Sequence, residues 1–151
     1  MEVRVKLIDH NAKVPVKSKK GDLCFDVWAV SEREIAPNVW EYGLGFKYEI
    51  KREFPDPLRD FDLSIDLRPR SGIYKTGMTL ANSEGTLDEF YRGEAKAIFY
   101  HVLPSMPRYK VGDRVGQVKV GLAPKVTFVE VDEINEETER GSDGFGSTGN
   151  K

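Results

Sequence analysis

Alternation of apolar and polar residues is what most limits the folds open to this chain. Phe61, Leu63, Ile65 and Leu67 alternate with Asp62, Ser64, Asp66 and Arg68, and Val3, Val5 and Leu7 alternate with Glu2, Arg4 and Lys6. Val126, Phe128 and Glu130 likewise oppose Thr127, Val129 and Val131. A period of two sends successive side chains to opposite faces, so these segments read as half-buried strands. Residues 23–30, 47–51, 94–103 and 114–120 are further strand candidates. Turn residues punctuate them at Lys20-Gly21-Asp22, Gly43 to Gly45, Pro55-Asp56-Pro57, Pro104 to Pro107 and Gly112-Asp113. No helical stripe is sustained, and Ser71 to Lys75 offers one short helical turn at most. Many short strands with frequent turns imply an all-β sandwich or barrel. At 151 residues, one domain can bury its own core without disulfides or a structural metal.

Charge narrows the partners. Lys plus Arg total 23 against 25 Asp plus Glu, a formal net charge of −2, so no global nucleic-acid-binding surface is expected. A polyanionic ligand would have to meet a local cluster of donors. The single cysteine, Cys24, can form neither an internal disulfide nor a cysteine-based zinc site, and it suits a reducing compartment. The start, Met1 to Ile8, lacks the apolar run of a signal peptide, and no stretch approaches membrane-spanning length. A cytoplasmic location is expected (host cytoplasm if the source is viral), with no membrane partner.

Five segments carry candidate chemistry. In Gly21-Asp22-Leu23-Cys24-Phe25-Asp26-Val27-Trp28-Ala29, Asp26 interrupts an apolar strand and needs a cation, either a salt-bridge partner or a metal with its water. Arg68-Pro69-Arg70-Ser71-Gly72 offers guanidinium and hydroxyl donors suited to phosphate, or a plain surface turn. Asn82 followed by Gly85-Thr86-Leu87-Asp88-Glu89-Phe90-Tyr91-Arg92-Gly93-Glu94 can form a small hairpin pocket. Its backbone can read a base edge, Tyr91 can pack on a sugar, and Asp88 can act as a general base; a solvated hairpin fits as well. Gly112-Asp113-Arg114-Val115-Gly116-Gln117 is a turn entering a strand, with Gln117 as a donor and Asp113 and Arg114 able to pair on the surface. Lastly, Arg140-Gly141-Ser142-Asp143-Gly144-Phe145-Gly146-Ser147-Thr148-Gly149 can converge N–H and hydroxyl donors on an anion, or be a mobile tail. It lacks the Gly-Lys-Ser/Thr ending of a P-loop. His10 and His101 belong to no cluster.

Taken in this order, the five segments resemble the five motifs of the trimeric dUTPase family, from about Gly21 to Gly149. The third and fifth carry the resemblance furthest. It implies a jelly-roll β-sandwich over residues 1–132, a flexible Gly-rich C-terminal arm over 133–151, and a homotrimer in which each active site draws on three subunits. It implies hydrolysis of dUTP to dUMP and pyrophosphate with Mg²⁺. By position, Asp88 matches the carboxylate that activates water, and Asn82 and Gly85 the uracil-binding positions. Tyr91 matches the ring under the deoxyribose. Arg70, Ser71, Gly72 and Gln117 match phosphate contacts, and Asp26 the residue associated with Mg²⁺, through water. In the arm, Arg140 matches a γ-phosphate clamp, Phe145 the ring over uracil, and Gly146, Ser147 and Thr148 further substrate contacts.

The sequence departs from the family pattern in places. Asp143 stands where glycine is usual, Phe90 where the family has a small or polar residue, and Cys24 and Phe25 precede Asp26 where small residues are commoner. The stretch around Arg52 to Arg59 is long. A dCTP deaminase-like enzyme of the same fold and a dUTPase-like regulator that binds proteins are the rival readings; the presence of Asp88, Arg140 and Phe145 opposes both.

Overall fold

A computed structural model describes residues 1–139, 141 and 142. Ten strands form three antiparallel sheets. In chain order they are β1 (Glu2–Leu7), β2 (Phe25–Trp28), β3 (Ser31–Ala36), β4 (Val39–Gly43), β5 (Phe46–Lys51), β6 (Phe61–Arg68), β7 (Met78–Leu80), β8 (Gly85–Asp88), β9 (Lys96–His101) and β10 (Arg114–Pro124). Sheet order is β2-β10-β6-β8 in one four-stranded sheet, β3-β4-β9-β7 in the other, with β1-β5 forming a two-stranded ribbon. The only helical element among the described residues is a 3₁₀ turn at Ser71–Lys75, where one helical turn was expected. The architecture is the expected jelly-roll-like β-sandwich.

The alternation that predicts β6 also explains its packing. Leu63, Ile65 and Leu67 turn inward, meeting Val118 of β10 and Phe46, Tyr48 and Ile50 of β5 in one core. The facing sheet contributes Tyr42, Met78, Leu80 and Phe99. Tyr42, Phe99 and Tyr109 meet edge to face, with ring centroids 5.4 to 6.3 Å apart, the geometry that aromatic quadrupoles favour. The Tyr42 hydroxyl donates to the Tyr109 carbonyl at 2.9 Å, so this buried phenol has its partner.

Two sequence expectations need correction. Residues 126–131 form no strand, and Phe128 is 96% exposed. Alternation encodes a two-faced segment but not its partner, and among the described residues no neighbouring strand meets this one. Conversely, β3 carries little alternation because it is an edge strand with mostly exposed side chains, whereas β4 is interior and partly to fully buried along its whole length, so no exposed face alternates with a buried one. They are joined by a tight turn in which Asn38 takes φ = 61°, a left-handed conformation that Asn tolerates better than most residues.

Three carboxylates are buried: Asp26, Asp66 and Glu89. Each is paired, as burial of a charge demands. Lys119 Nζ reaches Asp66 at 2.8 Å and the Ser64 hydroxyl donates to it at 2.7 Å. Arg52 binds Glu89, and Arg70 and Arg114 bind Asp26. For Asp26 and Asp66, burial is the largest single influence and opposes ionisation. The hydrogen bonds from Ser18 and Arg114, or from Lys119 and Ser64, together with the neighbouring cations, outweigh it. For Glu89 the Arg52 hydrogen bonds lead. All three carboxyls are thus held below the usual carboxylate range.

Groups with depressed folded-state values contribute stability that is fully present above their unfolded values, about 4, and lost as pH falls through the lower folded values. The melting temperature should therefore hold from neutral pH down to about 5 and fall steeply below about 4. Asp26→Asn should shallow that acid limb; an acid limb identical to wild type would contradict the assignment.

Candidate active site

The structure gathers Asp26, Arg70, Ser71 and Gln117 into one open polar cavity, together with Ser18, Asp22 and Cys24. Register explains the meeting. Gln117 of β10 lies opposite both Asp26 of β2 and Arg68 of β6, so the end of β6 delivers Arg70 and Ser71 to the mouth of the same row. Asp26 is 6% exposed and both its oxygens are engaged. Arg70 Nε donates to Oδ1 at 3.0 Å; the Ser18 hydroxyl and Arg114 Nη1 donate to Oδ2 at 2.5 and 3.1 Å. Asp26 is thus in ion pairs with Arg70 and Arg114. Gln117 Nε2 donates to the Pro69 carbonyl at 3.0 Å and so ties β10 to the turn that carries Arg70. Gly72 sits in that turn with open space beside it.

Two guanidinium groups meet on the Asp26 carboxylate at the cavity, which Asp22 also lines. Among the described residues only Nε of Arg70 is hydrogen-bonded, to Asp26. Planar, forked donors of this kind suit phosphate oxygens. Ser18 and Arg114 were not singled out for this cluster by sequence. The sequence leaves Arg114 able to pair with Asp113 on the surface, whereas in the structure Arg114 binds Asp26 and Asp113 accepts from the Lys110 backbone N–H at 2.8 Å. Proximity between β2 and β10 is the signal that one sequence does not display.

The segment Gly85 to Glu94 is not a self-paired hairpin. Gly85–Asp88 is an edge strand on β6, with Asp88 opposite Ser64 and Gly85 opposite Leu67. Asn82 precedes it in the connection from β7 and is exposed. Gly85 is buried against Leu67 and Asn82, where an added Cβ would lie 3.3 to 3.4 Å from both. The Asp88 side chain is exposed, while its carbonyl accepts from the Tyr48 hydroxyl at 2.6 Å and from the Tyr91 N–H at 3.0 Å. The Tyr91 hydroxyl donates to the Glu94 carbonyl at 3.1 Å. The phenol occupies the space that a Cβ on Gly93 would fill, so glycine is needed there for the ring to lie down.

These two groups do not meet within one chain. Asp26 sits on one edge strand of the sheet and Asp88 on the other, and Asp88 lies four residues along from the Gln117 row. Three interstrand spacings across and four residues along separate them by roughly 20 Å. Arg140, Phe145, Gly146, Ser147 and Thr148, the expected arm contacts, lie outside the described residues. Among the described residues no group of three His, Cys, Asp or Glu side chains is placed to hold a metal directly. None of the helices is long and apolar enough to cross a membrane.

Comparison with known proteins places this arrangement. The family model described as dUTPase matches residues 10–149. A deoxyuridine 5'-triphosphate nucleotidohydrolase of Nautilia profundicola is 31% identical, with 99% of each chain covered. One from Helicobacter pylori strain P12 is 33% identical over 99% of this chain and 97% of its own. Among solved structures, the dUTPase of Staphylococcus bacteriophage 80alpha with dUPNHPP has a TM-score of 0.76 at 20% identity, covering 98% of both chains. The dUTPase of S. aureus phage phi11, described with coordination of a structural Mg(II) ion, has a TM-score of 0.68 at 16% identity over 89% of this chain and 99% of its own. The structural likenesses speak for the fold; the match across residues 10–149 and the full-length relatives speak for descent. The chain belongs to the dUTPase family.

Proposed function

We propose that this chain hydrolyses dUTP to dUMP and pyrophosphate as a homotrimer, at sites that each need more than one copy. Family membership supports the substrate. The observation that carries the assembly is the placement of the Asp26 cavity and the exposed Asp88 carboxylate on opposite edges of one sheet, roughly 20 Å apart. The separation of the Asp26 cavity from Asp88 argues against one chain completing the site, whereas a second copy can bring its own Asp88 edge to the first copy's cavity. Three-fold closure lets every chain serve in both roles.

In this reading Arg70, Ser71, Gly72 and Gln117 hold phosphate oxygens, with Arg70 fixed in place by Asp26. Asn82 and the backbone at Gly85 read uracil, and Tyr91 lies under the deoxyribose. Asp88 orients a water for in-line attack on the α-phosphorus and accepts its proton. The bond from that phosphorus to the bridging oxygen breaks, and pyrophosphate leaves with the bonding electrons. The exposure of Asp88 supports the base role, since its carboxylate is open to water in the single chain. The arm, residues 133–151, closes the site with Arg140, Phe145, Gly146, Ser147 and Thr148 against substrate; Asp143 opposes that closure unless it points away.

The donor set fits Mg²⁺ only indirectly. Both Asp26 oxygens are already engaged, so Asp26 would reach the ion through water, and phosphate oxygens would supply direct ligands, as suits a cation that dehydrates reluctantly. When bound, Mg²⁺ supplies charge neutralisation on the triphosphate. Backbone groups set for uracil would leave polar atoms unpaired against cytosine, which makes rejection strong. The proposed location is the cytoplasm, with no membrane or stable nucleic-acid partner.

Pyrophosphate release from dUTP should be fast with Mg²⁺ and slow without it, and slow for dTTP, dCTP and UTP. Asp88→Asn should lower kcat by at least about 10²-fold with a folded chain and little change in KM. Ammonia release from dCTP, or an unchanged rate in Asp88→Asn, would contradict the proposal.

A further inference from the structure

We propose that Arg52, acting through Glu89, is a positioning residue for Asp88, an inference that rests on reading Asp88 as the base. The Arg52 guanidinium forks onto both oxygens of Glu89, Nε to Oε1 and Nη2 to Oε2, each at 2.7 Å. Its remaining donors are spent on the loop that follows. Nη1 binds Asp56 Oδ2 and the Leu58 carbonyl, and Nη2 the Phe61 carbonyl, all at 2.9 Å. Asp56 also caps the Leu58 N–H at 2.9 Å. The long stretch between β5 and β6 is therefore folded around one guanidinium, and that guanidinium grips the residue next to Asp88.

The grip falls where it is needed. β8 is a four-residue edge strand, and Asp88 is its last residue. Strand ends on a sheet edge open locally more readily than central ones. Tyr48 and Arg52 lie four apart along β5 and its extension, so a period of two sends both toward the same side. Tyr48 holds the Asp88 carbonyl at 2.6 Å, and Arg52 holds the side chain of Glu89, which is 8% exposed. The peptide that joins Asp88 to Glu89 is thus fixed from both ends. A carboxylate that must aim a water needs placement within about 0.5 Å.

A role in stability alone is separable from positioning, because a buried ion pair can often be replaced by apolar residues of similar volume without loss of stability. Full-length R52M, E89Q and R52M/E89M are compared with wild type and Asp88→Asn for melting temperature and for kcat and KM on dUTP. The expected result is that R52M lowers the melting temperature and the double variant regains it. The double variant's kcat stays at least about tenfold below wild type, with KM within about twofold. Recovery of kcat together with the melting temperature would overturn the proposal. Where the double variant does not fold, E89Q decides. Reduced kcat at near wild-type melting temperature and KM supports positioning, and wild-type kcat overturns it. If wild type itself does not hydrolyse dUTP, the reading of Asp88 fails and this inference with it, an outcome distinct from a fully active double variant.

Discussion

A carboxylate inside a strand is the constraint around which the cationic side of this molecule is arranged. Asp26 is too costly to bury alone, and the chain answers with two guanidinium groups and a hydroxyl. Those partners come from the three places where the sheet order brings backbone together: the segment before β2, the end of β6 and the start of β10. Arg70 and Arg114 are both held on Asp26 at the edge of the cavity. The buried ion cluster and the cavity proposed to bind phosphate share Asp26 and Arg70, so the cluster fixes the Arg70 rotamer. Free arginines would have to lose side-chain entropy on binding a ligand; these have lost much of it on folding.

The opposite edge of the same sheet is organised by a different cation. Arg52 binds no phosphate in this account; it gathers a loop and secures the strand end that carries Asp88. The two edges cannot cooperate within a chain, and the exposed alternating segment that follows β10 similarly lacks a partner there. Both features make sense if the functional unit is an assembly. That unit would bring one copy's Asp88 edge to another copy's cavity and give residues 126–131 a second chain to lie against.

Much of the sandwich was legible from alternation, and β1, β6 and most of β10 lie where period two puts them. β3 was not legible, since an edge strand with solvent on most of its side chains has no apolar face to repeat, and β4 was not because an interior strand buried on both sides shows no alternation. The 126–131 segment was misread as half-buried for the converse reason: its pattern is real, but burial depends on a partner. At the candidate site, Asp26, Arg70, Ser71 and Gln117 could be named from motif order, and the fold brings them together. Ser18, Arg114 and Arg52 could not, because each matters through a neighbour distant in sequence. Residue type showed that Asp26 required a cation; only the pairing of β2 with β10 and the turn after β6 shows which cations answered.

The claim on which the rest depends is that one chain holds two half-sites belonging to different catalytic units. It is tested by mixing two variants, Asp88→Asn and Arg70→Ala, each inactive alone, after co-refolding into mixed assemblies and measuring dUTP hydrolysis. The account predicts that activity returns to roughly a quarter of the wild-type rate per chain at equal proportions, as random assortment pairs an intact Asp88 edge with an intact Arg70 cavity. A mixture that stays as inactive as its components, although mixed assemblies have formed, would place both residues in one chain's site and contradict the account.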